Sequence, residues 1–139
     1  MTPVPAVLHI LVVDDDEDIR GIYAESLELN GFQVQHACDG QQALAAALAE
    51  PPAAIVMDLD MPVMDGLTAT HRLKRDARTM RVPIIVVTGS TRPEELQRAR
   101  LAGCDALLAK PCPPDVIILA IEHILRGEPI PRRFSAFDD

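Results

Sequence analysis

The chain has 139 residues, 48% of them apolar, which is room for one domain with a substantial core and little beyond it. Its formal net charge is −8, from 21 acids against 13 bases. That balance argues against a basic face gripping nucleic acid phosphates, and favours a basic protein partner or a cation held among the acids.

Residues 1–6 form an N-terminal arm with no basic stretch and no long apolar core, so no signal peptide is expected. No apolar run approaches the roughly 18 residues of a membrane span, and the expected location is the cytoplasm. Tyr23, Phe32, Phe134 and Phe137 are the only aromatic residues, which leaves Val, Ile, Leu and Ala to build the core. Cys38, Cys104 and Cys112 share no metal-ligand spacing and read as small buried hydrophobes in a reducing compartment.

The first apolar run, Leu8 to Val13, predicts a strand. It leads into a helix whose inner face is Ile19, Ile22, Tyr23 and Leu27, with Asp16 as its cap and a stop at Asn30-Gly31. A weaker strand follows at Gln33 to Ala37, then a helix with the stripe Ala43, Leu44, Ala47 and Leu48, ended by Pro51-Pro52. Ala53 to Met57 is the third strand. Asp65-Gly66 reads as a turn into a helix carrying Leu67, Thr70, Leu73 and Ala77. Ile84 to Val87 is the fourth strand. Thr91 and Glu94 have capping-box spacing around Pro93, and the helix they open closes at Gly103. Ala106 to Ala109 is the fifth strand, and a last helix starts after Pro113-Pro114 and runs to Gly127. On a helical wheel Ile117, Ala120, Ile121 and Ile124 face the sheet, whereas Ile118 and Leu119 fall outside with Glu122, His123 and Arg126.

None of the central runs alternates polar with apolar residues, as befits strands buried on both faces of a parallel sheet. Five strands alternating with five helices predict an open, doubly wound α/β fold over 7–126, followed by a tail over 127–139. Ligands in such sheets collect beyond the C-terminal strand ends. Those ends carry Asp14-Asp15-Asp16, Asp58, Thr88 and Lys110. Gathered carboxylates repel, by about 4 kcal/mol for two charges ~4 Å apart at an effective dielectric near 20. They call for a cation, and oxygen-only ligands point to Mg²⁺. Asp58, alone at the central strand, is the nucleophile candidate for phosphoryl transfer, with Lys110 and the Thr88 hydroxyl to meet the transferring group. His9, His36, His71 and His123 share no strand end and read as surface or filler.

Ile10-Leu11-Val12-Val13-Asp14-Asp15-Asp16, Met57-Asp58-Leu59-Asp60-Met61-Pro62-Val63-Met64-Asp65-Gly66, Ile85-Val86-Val87-Thr88-Gly89 and Ala109-Lys110-Pro111 together resemble the receiver domain of two-component response regulators. The resemblance implies a flavodoxin-like sheet of order 2-1-3-4-5, the order for which the chemotaxis regulator is a standard example. It also implies that Asp58 accepts phosphate from a histidine kinase or a histidine phosphotransfer protein. Mg²⁺ would be held by Asp14, Asp15, Asp58 and the backbone carbonyl of Asp60. Thr88 would swing to the phosphoryl group and Lys110 would pair with it.

Two positions depart from that pattern. Leu107 stands where receivers usually carry Tyr or Phe, and Cys112 stands where Phe is frequent after Lys-Pro. The expected function is a stand-alone phosphorelay receiver acting on a downstream protein, with no output domain accommodated in the tail. Ile118 and Leu119 would serve as its interface, with a partner or in a homodimer, and Phe134 and Phe137 could cover them. An aspartyl-nucleophile phosphatase is the alternative, because Asp58-Leu59-Asp60 resembles the two-Asp motif of haloacid dehalogenase-like hydrolases. There, however, the acid pair follows the motif instead of preceding it, and Pro62 replaces a small polar residue. A pseudo-receiver that only binds is disfavoured, since nothing the chemistry requires is missing.

Overall fold

The computed structural model describes residues 7–130. Its elements are β1 (His9–Val13), α1 (Glu17–Leu29), β2 (Gln33–Ala37), α2 (Gly40–Ala49), β3 (Ala54–Met57), α3 (Gly66–Arg75), β4 (Ile84–Thr88), α4 (Pro93–Ala102), β5 (Ala106–Ala109) and α5 (Pro114–Leu125). All strand pairs are parallel, in the order β2-β1-β3-β4-β5. Most strand and helix boundaries fall within a residue or so of the sequence expectation. However, α3 stops at Arg75 because Asp76 turns extended, so Ala77, expected on its inner stripe, lies exposed in the turn beyond it, and α5 stops at Leu125, short of Gly127.

Alternation along each strand divides the core into two layers. Leu11, Val13, Ile55, Met57, Ile84, Val86 and Leu107 point to α2, α3 and α4, where Ala43, Ala47, Ala69, Leu73, Leu96 and Ala99 meet them. Ile10, Val12, Val56, Ile85, Val87 and Leu108 point the other way, to Tyr23 and Leu27 of α1 and to Ile117, Ile118, Ala120 and Ile121 of α5. Ile130 packs on this second layer. Burial of one aliphatic side chain is worth roughly 1.5–3 kcal/mol, so β1, β3 and β4, buried almost throughout, anchor the fold. β2 is half exposed, as an edge strand rich in Gln and His must be.

Several side chains lie elsewhere than expected. Ile118 is buried, because α5 packs against α1 as well as the sheet and so hides a wider sector than one stripe. Leu119 remains partly exposed. Ile22 is 53% exposed, and Ala24 takes its place in the core. No capping box forms at α4: its cap is Arg92, without a side-chain bond. Pro93 holds the preceding residue extended, which moves the cap one residue past Thr91. Asp16 and Asp65 do cap their helices, accepting from Asp18 and Ile19 and from Thr68. Cys112 is buried, whereas Cys38 and Cys104 are only half so. Phe134 and Phe137 lie outside the described residues.

Candidate functional site

Parallel strands in register bring their C-terminal ends to one rim. The Asp14 amide donates to Ala37 O at 3.1 Å and the Asp58 amide to Val13 O at 3.0 Å, so both acids leave the sheet side by side. The Lys110 amide donates to Thr88 O at 2.8 Å, which aligns those two residues on the adjoining pair of strands.

Asp14, Asp15 and Asp58 each offer a carboxylate oxygen within 4.8 Å of the others. Asp14 and Asp58 are buried, and Asp15 is exposed. Lys110 Nζ lies 2.9 Å from Asp14 Oδ2 and 3.5 Å from Asp58 Oδ1. One lysine against three acids leaves a charge imbalance, and donors that are all hard carboxylate oxygens suit a hard divalent cation. These three residues could hold one.

Burial drives the Asp58 carboxyl from its ordinary 3.8 up to about 6. Lys110 opposes that rise, Asp14 adds to it, and the Asp60 amide, bonded to the carboxylate, opposes it again. Asp58 is therefore mostly ionised at neutral pH while still poorly solvated, a useful state for an oxygen nucleophile. Burial works against the charge on Lys110 also. The hydrogen bond to Asp14 and the two carboxylate charges outweigh it, and its pKa lies above the usual value.

Thr88 is buried, and its Oγ1 accepts from the Ser90 amide at 3.0 Å. Ser90 Oγ in turn donates to Glu95 Oε2 in α4 at 2.8 Å. Asp60 is exposed and lines a groove with Thr88, Ser90 and Arg92. On the other side of Lys110, an apolar groove is lined by Ile19, Ile22, Tyr23, Pro111, Cys112 and Pro114. The Tyr23 hydroxyl bonds Cys112 O at 3.2 Å beneath it. Burial pushes the Cys112 thiol up to about 11, so it is unreactive near neutrality.

Some residues that shape the rim escaped sequence reasoning. Arg20, the one base in the first half of α1, turns back so that Nη1 donates to Asp14 O at 2.7 Å. Gly66 looked like a simple turn residue, yet a Cβ there would overlap the Asp58 carbonyl. Gly40 likewise leaves no room for a Cβ against Met64 O, to which its own amide donates at 2.8 Å. These two glycines clasp the loop that follows Asp58. Within that loop Val63 is held at φ 67, in the left-handed region that branched residues avoid. A lone base on an acidic helix was the only signal for Arg20, and close approaches across the fold leave none.

Among the described residues no helix is long and apolar enough to cross a membrane. Residues 10–122 match the family model described as the response regulator receiver domain. The DNA-binding dual master transcriptional regulator RpaA of Synechocystis is 33% identical over 118 residues, 85% of this chain and 49% of that protein. The phosphate regulon transcriptional regulatory protein PhoB of Pseudomonas aeruginosa is 32% identical over 117 residues, 84% of this chain and 51% of that protein. The chain thus spans about half the length of these curated relatives. Among solved structures, the chemotaxis response regulator CheY4 of Vibrio cholerae is similar with TM-score 0.79 and 29% identity, over 86% of this chain and 99% of that one. The signal receiver domain of a histidine kinase from Syntrophus aciditrophicus gives TM-score 0.82 and 26% identity, over 96% and 98%. Strand order, acid cluster and family match agree, and the chain belongs to the response regulator receiver domain family, a signalling family of two-component systems and not a class of conventional enzymes.

Proposed function

We propose that this receiver takes a phosphoryl group on Asp58 and passes the change to a protein partner. The observation that carries this reading is the convergence of the Asp14, Asp15 and Asp58 carboxylates, with Lys110 Nζ paired to Asp14 and Asp58 and with Asp58 buried and its carboxyl raised to about 6. An Asp58 oxygen attacks phosphorus in line, the bond from phosphorus to the donor's leaving atom breaks, and the leaving atom keeps its electron pair. Lys110 moves its charge toward the new phosphoryl oxygens. The Thr88 hydroxyl turns to donate to them.

Mg²⁺, held by Asp14, Asp15, Asp58 and the Asp60 carbonyl, would supply neutralisation of phosphoryl charge. The hard-oxygen donor set and the charge left over beside Lys110 support that choice.

A histidine kinase or a histidine phosphotransfer protein is the donor this site suits. The apolar groove around Ile22 and Pro111 adjoins Lys110, and gives such a donor a surface to dock on within reach of Asp58. Readout runs without an aromatic at Leu107, which is buried against Leu96 and Ala99. When Thr88 turns, Ser90 loses its acceptor, and the hydrogen bond from Ser90 to Glu95 carries the change into α4. A downstream protein, or a second copy meeting the exposed Leu119 of α5, receives it. The acidic balance of the chain favours a partner with a basic surface, in the cytoplasm.

Incubation with acetyl phosphate and Mg²⁺ tests the reading, followed by intact-mass spectrometry. One base-labile phosphoryl adduct is expected on the wild type and none on Asp58→Asn. An adduct of equal yield on the variant would refute it.

A further inference from the structure

We propose that Arg20 is a positioning residue for the cation-binding end of this site, fixing the backbone between Asp14 and Asp15 so that their carboxylates converge with that of Asp58. The inference rests on the cation reading above and assigns to Arg20 a role that neither charge nor proximity alone would give it.

In the stretch that leaves β1, Asp14 and Asp16 are held at most of their polar atoms. The Asp14 amide donates to Ala37 O, and Asp14 Oδ1 accepts from the Asp16 amide at 2.9 Å. Asp16 Oδ1 accepts from Asp18 and Ile19, and Asp16 O accepts from the Arg20 amide at 3.0 Å. The Asp14 carbonyl has passed beyond the strand ladder, and Arg20 Nη1 holds it at 2.7 Å. Asp15 differs: its carboxylate is exposed and makes no hydrogen bond among the described residues. The direction in which its Cα–Cβ bond leaves the backbone is set by the peptide planes on either side. Arg20 fixes the plane between Asp14 and Asp15 through its oxygen, and the Asp14 side chain fixes the next plane through the Asp16 amide.

Two physical effects of Arg20 oppose each other. As a cation near three carboxylates it repels a divalent ion, so its removal should tighten cation binding on charge alone. As an orienting group it restrains the ligands, and losing such outer support typically costs 10–100-fold in metal affinity. A hydrogen bond of 2.7 Å from a partly buried guanidinium is charge-assisted and directional, and the proposal is that orientation wins.

The test is calorimetric titration of the full-length chain with MgCl₂, for wild type, Arg20→Lys and Arg20→Met, each verified as folded by circular dichroism. Arg20→Met should bind Mg²⁺ about tenfold or more weakly. Arg20→Lys keeps the charge and a donor of shorter reach, and should fall in between. In the cation-free proteins the backbone amide signals of Asp15 and Asp16 should move in Arg20→Met and less so in Arg20→Lys. Affinity in Arg20→Met equal to wild type or tighter would overturn the inference and leave Arg20 as bulk charge. If Arg20→Met does not fold, Arg20→Lys decides alone, and wild-type affinity there overturns the role. Absence of saturable Mg²⁺ uptake by the wild type would instead bring down the cation reading itself.

Discussion

Lys110 Nζ is closer to Asp14, at 2.9 Å, than to Asp58, at 3.5 Å. Before any phosphoryl group arrives, the lysine belongs mainly to the buried acid just after β1 and only partly to the proposed acceptor. It still restrains the Asp58 carboxyl, which burial drives to about 6. Lys110→Met should therefore raise the Asp58 titration midpoint further, by about 1 unit or more for a charge at this range. Carbon-13 NMR of the labelled carboxyl across pH 4 to 9 reads it directly, and an unmoved midpoint would show that Lys110 serves Asp14 alone.

Asp58 should lower stability above the pH at which it ionises. Its folded pKa of about 6 exceeds the ordinary 3.8, so between those values the folded state binds more protons than the unfolded state. Stability from this group is complete below about 3.8 and is lost as pH rises through about 6. Asp58→Asn should then be more stable than wild type at pH 7.5, by about 1 kcal/mol after discounting for water at the rim, and the gap should close at pH 4. Melting curves at both pH values without divalent cation measure it. A variant less stable than wild type at pH 7.5 would contradict the assignment.

Val63 sits at φ 67 with its side chain 83% exposed, so it meets the steric strain of that conformation with no compensating burial. Asn tolerates the left-handed region far better. Val63→Asn should stabilise the chain by about 1 kcal/mol, with Asp58 phosphorylated as before. Chemical denaturation checks the gain, and a loss of stability would mean that the valine side chain makes a contribution its exposure does not suggest.

Thr70 is fully buried in α3, and its hydroxyl has no partner among the described residues. An unmade buried hydrogen bond costs about 1–3 kcal/mol, and Val replaces the hydroxyl by a methyl of similar size. Thr70→Val should raise stability by about 1 kcal/mol or more. A destabilised variant would reveal a partner such as an internal water.

Much of this was legible in the sequence because parallel strands buried on both faces leave unbroken apolar runs. Leu8 to Val13, Ala53 to Met57 and Ile84 to Val87 are short, apolar and rich in branched residues, as such strands require. The acids and the lysine could be placed together because each follows a strand directly. Ile118 could not be placed, since its burial depends on α1 packing against α5, a contact between segments far apart in the chain. The α4 cap was displaced by a local effect, Pro93 acting on Arg92. Arg20 was invisible for a third reason: the sequence announces a long flexible cation, but not which carbonyl it will reach.

The clasp formed by Gly40 and Gly66 has a consequence for anyone sorting random variants of this chain. Every amino-acid change at those two positions adds at least a methyl group where the loop backbone already sits, so both will score as dead in a deep mutational scan, whatever property is selected. Asp60, Val63 and Arg92, exposed around the same loop and its neighbour, will accept wide substitution. A library confined to those three positions would sample variation beside the acid cluster while leaving the fraction of folded clones nearly untouched.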